Sequence, residues 1–305
     1  MVEQSRIPSV SVVIPSFNRG HCIESCLRSV LAQTYQDFEI IVVDDASRDD
    51  TRVRMMALAN SRIRYIAHEV NRGGAAARNT GIHAARGEFV AFLDSDDEWK
   101  AGKLQKQVDI LRSKGEAYGF CYTWFIAHSP QKEELWRMRT DIDGRAIEDL
   151  LIENCIGTFS SVVARRSALL AVGGLDERMR SCQDWDLFVR MNAVTAVCGV
   201  HEYLVLYQQD RGDKYRISAN PKSLILGNRR MLEKMQGRFP EMSSEAQVAS
   251  LKKFSNSFVL AGSIPDALKT VLSIVGIAPS IRNVALIMWT LARVLKRNLT
   301  RNLGY

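Results

Sequence analysis

The stretch that decides the fold is Gly87-Glu88-Phe89-Val90-Ala91-Phe92-Leu93-Asp94-Ser95-Asp96-Asp97, an apolar run that passes straight into three carboxylates within four residues. A run this short and this apolar reads as a strand buried on both faces. In open α/β sheets the binding crevice lies outside the carboxyl ends of such strands, where these acids fall. Like charges so close repel one another, so they need either full hydration or a cation. Alone, an Asp-x-Asp-Asp turn is more often a solvated loop or a helix cap, and the neighbouring segments have to decide. With them, the local reading is a divalent metal site that also grips phosphate.

Upstream, Val10 to Ile14 is an apolar run stopped by Pro15, and Ile23 to Ala32 has helical spacing. Glu39 to Val43 is a second buried strand ending in Asp44-Asp45. Ser47, Asp49, Asp50 and Thr51 supply N-cap chemistry for a helix to about Ala59. Ile63 to Ala67 is a third strand, Gly73-Gly74 turns into an Ala-rich helix from Ala75 to Ala85, and Phe89 to Leu93 is the fourth strand. This alternation means βαβ units and a mainly parallel sheet. Downstream, Lys103 to Lys114 reads as a helix, Ala117 to Phe125 and Ser160 to Ala164 as strands, Gln183 to Asn192 as a helix, and Tyr203 to Tyr207 as a closing strand. From Pro221 onward the pattern is helical.

Parallel strands share a C-terminal side, so Pro15-Ser16-Phe17-Asn18, Asp44-Asp45 and the Asp94 to Asp97 cluster should line one cleft. Asp44 and Asp45 suit the donors of a base or ribose, Asp94 a ribose hydroxyl, and Asp96 a metal ion. Arg78 and Asn79, in the helix after Gly73-Gly74, could reach phosphate from the same side. Together these describe a site for a nucleoside diphosphate. The five histidines show no metal-ligand spacing and receive no chemistry. Trp99 and Trp185 read as packing residues.

The ordered motifs resemble family 2 glycosyltransferases, inverting enzymes with the GT-A fold. The resemblance runs from about Pro8 to Ser218, through Val12-Val13-Ile14-Pro15-Ser16-Phe17-Asn18-Arg19, Val42-Val43-Asp44-Asp45-Ala46-Ser47, Asn71-Arg72-Gly73-Gly74-Ala75-Ala76-Ala77-Arg78-Asn79, Leu93-Asp94-Ser95-Asp96-Asp97, Gly173-Gly174-Leu175-Asp176-Glu177 and Gln183-Asp184-Trp185-Asp186. It implies a GT-A domain over 8–218 and a helical extension over 219–305. It further implies that Asp45 contacts the nucleobase, that Asp94-Ser95-Asp96 is the DxD motif with Asp96 the direct ligand of Mg²⁺ or Mn²⁺, and that Asp184 is the catalytic base. Pro15, Asp45, Arg78 and Asp94 are the expected nucleotide-sugar-binding residues. The family more often has Glu-Asp where this chain has Gln183-Asp184, which removes a charge beside the base. The implied activity is inverting transfer from a nucleotide-sugar, expected to be a UDP-sugar, to a glycan or lipid-linked saccharide. A nucleotidyltransferase would also want clustered aspartates, but Pro15 to Gly20 is a poor Gly-rich phosphate loop; a non-catalytic sugar- or nucleotide-binding module would not need Asp184.

Composition bounds the remaining choices. The 305 residues carry 41 Lys+Arg against 34 Asp+Glu, yet six of the basic residues and no acidic ones fall between Ala267 and Tyr305. The body is therefore nearly neutral, which argues against nucleic acid as a partner. No apolar h-region precedes the first strand, and the six cysteines form no CxxC pair, so a cytoplasmic location is expected. From Ile281 to Arg297 a helical wheel gathers Ile281, Val284, Met288, Leu291 and Leu295 on one side, with Arg282, Arg293, Lys296 and Arg297 towards the other. That profile suits peripheral contact with the inner face of the cytoplasmic membrane as well as an amphipathic helix packed on its own domain or on a second subunit, and Trp289 with the missing acidic residues favours the membrane.

Overall fold

Strands form where β-branched and aromatic residues run without a polar break, and helices where apolar residues recur every three to four positions. The computed structural model describes residues 7–210, 212, 215–217, 220–280 and 283. In chain order it contains β1 (Val10–Ser16), α1 (Ile23–Leu31), β2 (Phe38–Asp44), α2 (Thr51–Ala57), β3 (Ile63–Ala67), α3 (Gly74–Ala84), β4 (Phe89–Phe92), β5 (Glu98–Trp99), α4 (Lys103–Lys114) and β6 (Tyr118–His128). There follow β7 (Glu134–Met138), α5 (Ile147–Ile152), β8 (Val163–Arg165), α6 (Arg166–Ala171), α7 (Gln183–Val194), β9 (Ala196–Gln208), α8 (Pro221–Gln236), α9 (Ser244–Ala261) and α10 (Ile264–Ile277). Two compact units divide the chain: Met1–Ala146, Ile156–Glu177 and Asp186–Tyr215 form the first; Ile147–Cys155, Arg178–Trp185 and Arg216–Tyr305 the second.

The first unit is built on one sheet of nine strands in the order β3-β2-β1-β4-β8-β6-β9-β5, with β7 added to β6. Strands β3, β2, β1 and β4 are mutually parallel, as are β6 and β9, while β8 runs antiparallel between β4 and β6. Strands β1, β2 and β4 are mainly apolar because both of their faces are covered, while β3 at the edge is only partly buried. Val10, Val12, Ile14, Ile40 and Val42 join one core cluster with Ile23, Leu27 and Val30 of α1, Met55 of α2 and Leu104, Val108 and Leu111 of α4. On β1 the alternate residue Val13 meets α3, so closely that a Cβ on Gly81 would stand 2.3 Å from its Cγ1. A glycine inside this helix is the condition for that approach.

Register sets the functional edge. Pro15 pairs with Val43 and Ser16 with Asp44, Asp45 N donates to Ser16 O (2.8 Å), and Leu93 N donates to Val13 O (3.1 Å). Three strand ends therefore finish side by side. Pro15 is tolerated because it lies beyond the β1–β4 pairing, which ends at Val13–Phe92.

Several expectations need correction. The strand expected over Ser160 to Ala164 is a 3-10 turn, Phe159–Ser161, followed by β8; Thr158 caps the turn by accepting from Ser160 N. The closing strand begins at Ala196 rather than Tyr203, because Val197 and Cys198 already pair with β6. The expected cap of α2 is shared with the β1–α1 loop: Asp49 Oδ1 accepts from Thr51 N (3.1 Å) at the start of the helix, while Asp49 Oδ2 accepts from Gly20 N (2.9 Å) and Ser47 Oγ from Asn18 N (2.8 Å). The strands β5 and β7 and the helices α5 and α6 were not read from the sequence.

The second unit is helical, with α9 touching α5, α8 and α10. Ser243 Oγ caps α9 by accepting from Ala246 N, and Gly262, at φ 85°, ends it. Leu251, Phe254, Phe258, Met231, Val271 and Ile274 are buried, and Trp185 stacks on Phe254 at 5.2 Å between centroids. No helix among the described residues is long and apolar enough to cross a membrane. The amphipathic segment expected over Ile281 to Arg297 lies outside the described residues apart from Asn283.

Candidate active site

At the end of β2 both aspartates are buried and engaged. Asp44 Oδ1 accepts from Ser47 N (2.8 Å) and Oδ2 from the Tyr65 hydroxyl (2.6 Å). Burial, reinforced by Asp44, holds that phenol well above its ordinary pKa. Asp45 Oδ1 bonds His68 Nδ1 (2.7 Å) and accepts from Arg72 N (2.8 Å), while Oδ2 accepts from Gly73 N (2.6 Å). One carboxylate thus ties β2 to the N-terminus of α3, which a residue at φ 90°, Gly73, introduces. A carboxylate has about four acceptor sites, so Asp45 keeps capacity for a ligand. His68, for which no chemistry is expected from its spacing, also bonds Thr80 Oγ1 at 2.9 Å; it orients Asp45 from a position with no local signal.

Helix α3 delivers Arg78 into the interior rather than to the surface, with its side chain 8% exposed. Its guanidinium bonds Asp94 Oδ1 and lies 4.1 Å from the Phe159 ring centroid. Asn79 does not turn to the same side: Nδ2 donates to Leu175 O and Glu177 Oε1 (both 3.0 Å), and Oδ1 accepts from Leu175 N (2.8 Å). It clamps the 175–177 loop, which corrects its expected role at phosphate.

The acidic turn divides by environment. Asp97 is fully buried, accepting from Ser160 Oγ (2.5 Å) and Gln208 N (2.9 Å). Burial first, then the charges of Asp96 and Asp94, raise its pKa well above the ordinary carboxylate range. Asp97 therefore anchors the turn. Asp94 and Asp96 keep side chains 27% and 16% exposed, and Arg19 Nη2 lies 3.9 Å from Asp96 Oδ2. Ser160 Oγ also accepts from Asp94 N (3.0 Å), and the Ser160 carbonyl accepts from Trp99 Nε1 (2.8 Å). Behind them Lys103, fully buried, donates to Gln107 Oε1 (2.6 Å), and Gln107 Nε2 donates to Ser161 O and Cys121 O (both 2.9 Å). Burial lowers the Lys103 pKa to about 7.

A Mg²⁺ or Mn²⁺ ion that keeps its waters takes one or two carboxylates and completes its shell with phosphate oxygens. Asp96 and Asp94, hard-oxygen donors at a partly open edge, fit that requirement, whereas Asp97 is committed to Ser160 and Gln208. No group of three or more His, Cys, Asp or Glu side chains among the described residues forms a cage that could hold an ion by itself.

The model of glycosyl transferase family 2 matches residues 11–170, more than half of the chain. The chain belongs to glycosyl transferase family 2. Among curated relatives of this family 2 chain, Escherichia coli WfgD, a UDP-Glc:α-D-GlcNAc-diphosphoundecaprenol β-1,3-glucosyltransferase, is 45% identical over 33% of this chain and 40% of its own. Bacillus subtilis TuaG, a glycosyltransferase named for teichuronic acid biosynthesis, is 43% identical over 37% of this chain and 46% of its own. The matched region thus spans less than half the length of either relative. The crystal structure of S. aureus TarS 1–349 in complex with UDP-GlcNAc superposes with a TM-score of 0.65 at 18% identity, covering 94% of this chain and 88% of that one. The fold is that of the GT-A transferases, with helices at the C-terminus.

Asp184, in the first turn of α7, belongs to the second unit and is described there by itself. It is half-buried, and its Oδ1 accepts from Trp185 N (2.8 Å). A helix N-terminus favours the ionised carboxylate. Gln183 Nε2 donates to Met179 O (3.0 Å), and Trp185 Nε1 to Leu150 O (2.6 Å). Trp99 and Trp185 are both buried with their indole N–H groups bonded, so each packs as expected. Three of the non-glycine residues at positive φ, Asn18, Ala46 and Cys182, flank the candidate residues; backbone strain of this kind gathers at functional loops.

Proposed function

We propose that this family 2 chain is an inverting, metal-dependent glycosyltransferase that moves a sugar from a UDP-sugar to a hydroxyl of a glycan or lipid-linked saccharide in cell-surface polysaccharide synthesis. The observation that carries the reading is the convergence of Asp45, Arg78, Asp94 and Asp96 on one edge of the parallel sheet. The activities for which WfgD and TuaG are named, and the UDP-GlcNAc bound by TarS, support the donor class and the kind of acceptor.

In this reading Pro15 and Asp45 border the nucleoside, with Asp45 accepting from the base. Asp94 meets the ribose, and Arg78 lends positive charge towards the diphosphate. Asp96 would hold Mg²⁺ or Mn²⁺, which when bound offsets the charge that builds on the departing diphosphate. Asp184 is assigned the general-base role, taking the proton from the attacking hydroxyl. A single in-line displacement then inverts the anomeric carbon. We assign these steps to a domain over 8–218. The helical remainder, 219–305, would carry the basic tail to the inner face of the cytoplasmic membrane.

The test is a screen of nucleotide-sugars for donor hydrolysis and for a rise in melting temperature, with and without Mn²⁺. A response to one UDP-sugar that depends on Mn²⁺ is expected, and silence from every donor would overturn the transferase reading. For the tail, full-length protein and a truncation ending at Ser280 are compared by vesicle sedimentation; equal partitioning would remove the membrane assignment. The cut belongs after α10, because Ala267, Val271 and Ile274 of that helix are buried.

A further inference from the structure

We propose that Trp136, on the edge strand β7, is the platform of an acceptor-saccharide subsite beside the acidic turn. The assignment rests on the transferase reading above and extends it to a residue that neither the sequence motifs nor the family match, residues 11–170 taken as a whole, assigns to a role.

Folding gives Trp136 no reason to stay outside. A tryptophan is large and usually well covered, yet this one is 42% exposed beside Leu135 at 48%. It is also held in place. Its ring packs edge-on against Phe125 (centroids 5.5 Å, 70°) and at a tilt against Tyr207 (6.3 Å, 56°), and its Nε1 donates to Gln209 Oε1 (2.8 Å). The result is a fixed, partly open indole with its polar group already bonded.

Two contacts put this platform next to the candidate donor site. Gln208, between Tyr207 and Gln209, donates its backbone N–H to Asp97 Oδ1 (2.9 Å). Lys132, in the β6–β7 turn, pairs with Glu98, the residue after Asp97. One strand step is about 3.3 Å, so the indole lies on the order of one or two sugar rings from the acidic turn. It is not on the nucleoside side, since β4 and β8 lie between β1 and β6 in the sheet.

The chemistry of the surface selects the occupant. An indole face carries the negative end of a quadrupole and attracts the polarised C–H face of a pyranose. Glu134 and Arg137 on the same strand pair with each other, and Lys132 is paired with Glu98, so these charges are compensated. A neutral pyranose fits this surface better than a phosphate or a charged peptide.

The experiment uses the full chain as wild type, Trp136→Ala and Trp136→Phe, with N,N′,N″-triacetylchitotriose, maltotriose and cellotriose as probes. Saturation-transfer NMR titration reads saccharide affinity, and a thermal shift with UDP reads the donor site in the same samples. At least one trisaccharide should bind wild type, bind Trp136→Ala at least fivefold more weakly, and bind Trp136→Phe with an intermediate loss, while the UDP response stays within twofold. The proposal is overturned if none of the three binds wild type, if Trp136→Ala binds as well as wild type, or if Trp136→Ala instead abolishes a concentration-dependent dimer seen by sedimentation. Failure of wild type to respond to UDP or any nucleotide-sugar would sink the transferase reading instead, and the saccharide titration would still report on the platform.

Discussion

At the N-terminal end of the parallel strands one buried carboxylate meets more partners than it needs. Glu39 accepts from Ser11 Oγ (2.8 Å), Arg64 Nη1 (2.8 Å), and the backbone N–H (3.0 Å) and guanidinium of Arg86. Burial pushes its pKa up, but the bonds from Arg86, Arg64 and Ser11 outweigh that and leave it below the ordinary value. At the C-terminal end of the same strands the balance is reversed. Asp94, Asp96 and Asp97 crowd one turn, with Arg78 and Arg19 as the guanidinium groups set against them, and Asp97 is left with a raised pKa. One end satisfies its charge within the chain; the other holds negative charge that a divalent cation, itself shared with a diphosphate, can balance. Stability and function are thus separated along a single strand length of about 20 Å.

Substitutions at the two ends should therefore have opposite signatures. Asp96→Asn is expected to lower transfer at least about 100-fold, because it removes charge from the site that balances the leaving group. Its melting temperature should stay level or rise, since Asp96 is one of the charges that oppose ionisation of Asp97. Steady-state kinetics and calorimetry on the same sample decide this; a folded variant with unchanged turnover would break the comparison. Ser160→Ala probes the joint between anchor and site, because one hydroxyl holds both Asp94 N and Asp97 Oδ2. Leaving a buried carboxylate short of a donor costs about 1–3 kcal/mol, and the shifted turn should cost roughly tenfold in turnover, an effect of about 1.4 kcal/mol. Glu39→Gln should do the converse, lowering stability by about 1–2 kcal/mol with turnover within twofold. That figure is reduced because Arg64 and Arg86 are 38% and 48% exposed and can rehydrate. Loss of turnover without loss of stability in this variant would contradict the division.

The same contrast explains what could be read from the sequence. Strands β1, β2 and β4 were legible because burial on both faces writes a mainly apolar run, β3 because Ile63, Tyr65 and Ile66 keep β-forming character at a partly buried edge, and Asp45, Asp94 and Asp96 because they sit where the buried runs end. Strand β7, Glu-Leu-Trp-Arg-Met, is exposed along most of its length and among the described residues pairs with β6 alone, so it carries no apolar period. Strand β5 is two residues long, too short for any pattern. His68, Ser160 and Gln107 reach the site through contacts 23 to 63 residues away or through a buried carbonyl of another element, and nothing in their own neighbourhoods marks them. Asn79 misled for a related reason: it follows Arg78 in the motif, but successive helical residues point about 100° apart, and its amide faces the 175–177 loop.

The effect with the least bearing on turnover concerns the polar network behind the acidic turn. Lys103 has a folded pKa of about 7 against an ordinary 10.5, because burial disfavours its charge. Between those values the unfolded chain holds a proton that the folded chain has released, so stability rises with pH across that window. Below about pH 7 both states are protonated and the penalty is constant. Asp97 acts with the opposite sign: its folded pKa is raised, so the stability it contributes at low pH is lost as pH rises above the ordinary 3.8. Lys103→Met separates the two, because its difference from wild type isolates the lysine. Its absolute stability is a poor readout, since Gln107 Oε1 loses a donor; the slope is the measurement. Urea unfolding from pH 6 to 8.5, with the thiols of Cys26 and Cys121 present in both proteins so that their titration cancels in the difference, should show wild type gaining on the variant only above about pH 7, by up to about 1.4 kcal/mol per pH unit. Parallel curves would mean that Lys103 stays charged in the folded protein, stacked 4.1 Å over Trp99, and that the acidic turn rests on a buried cation after all.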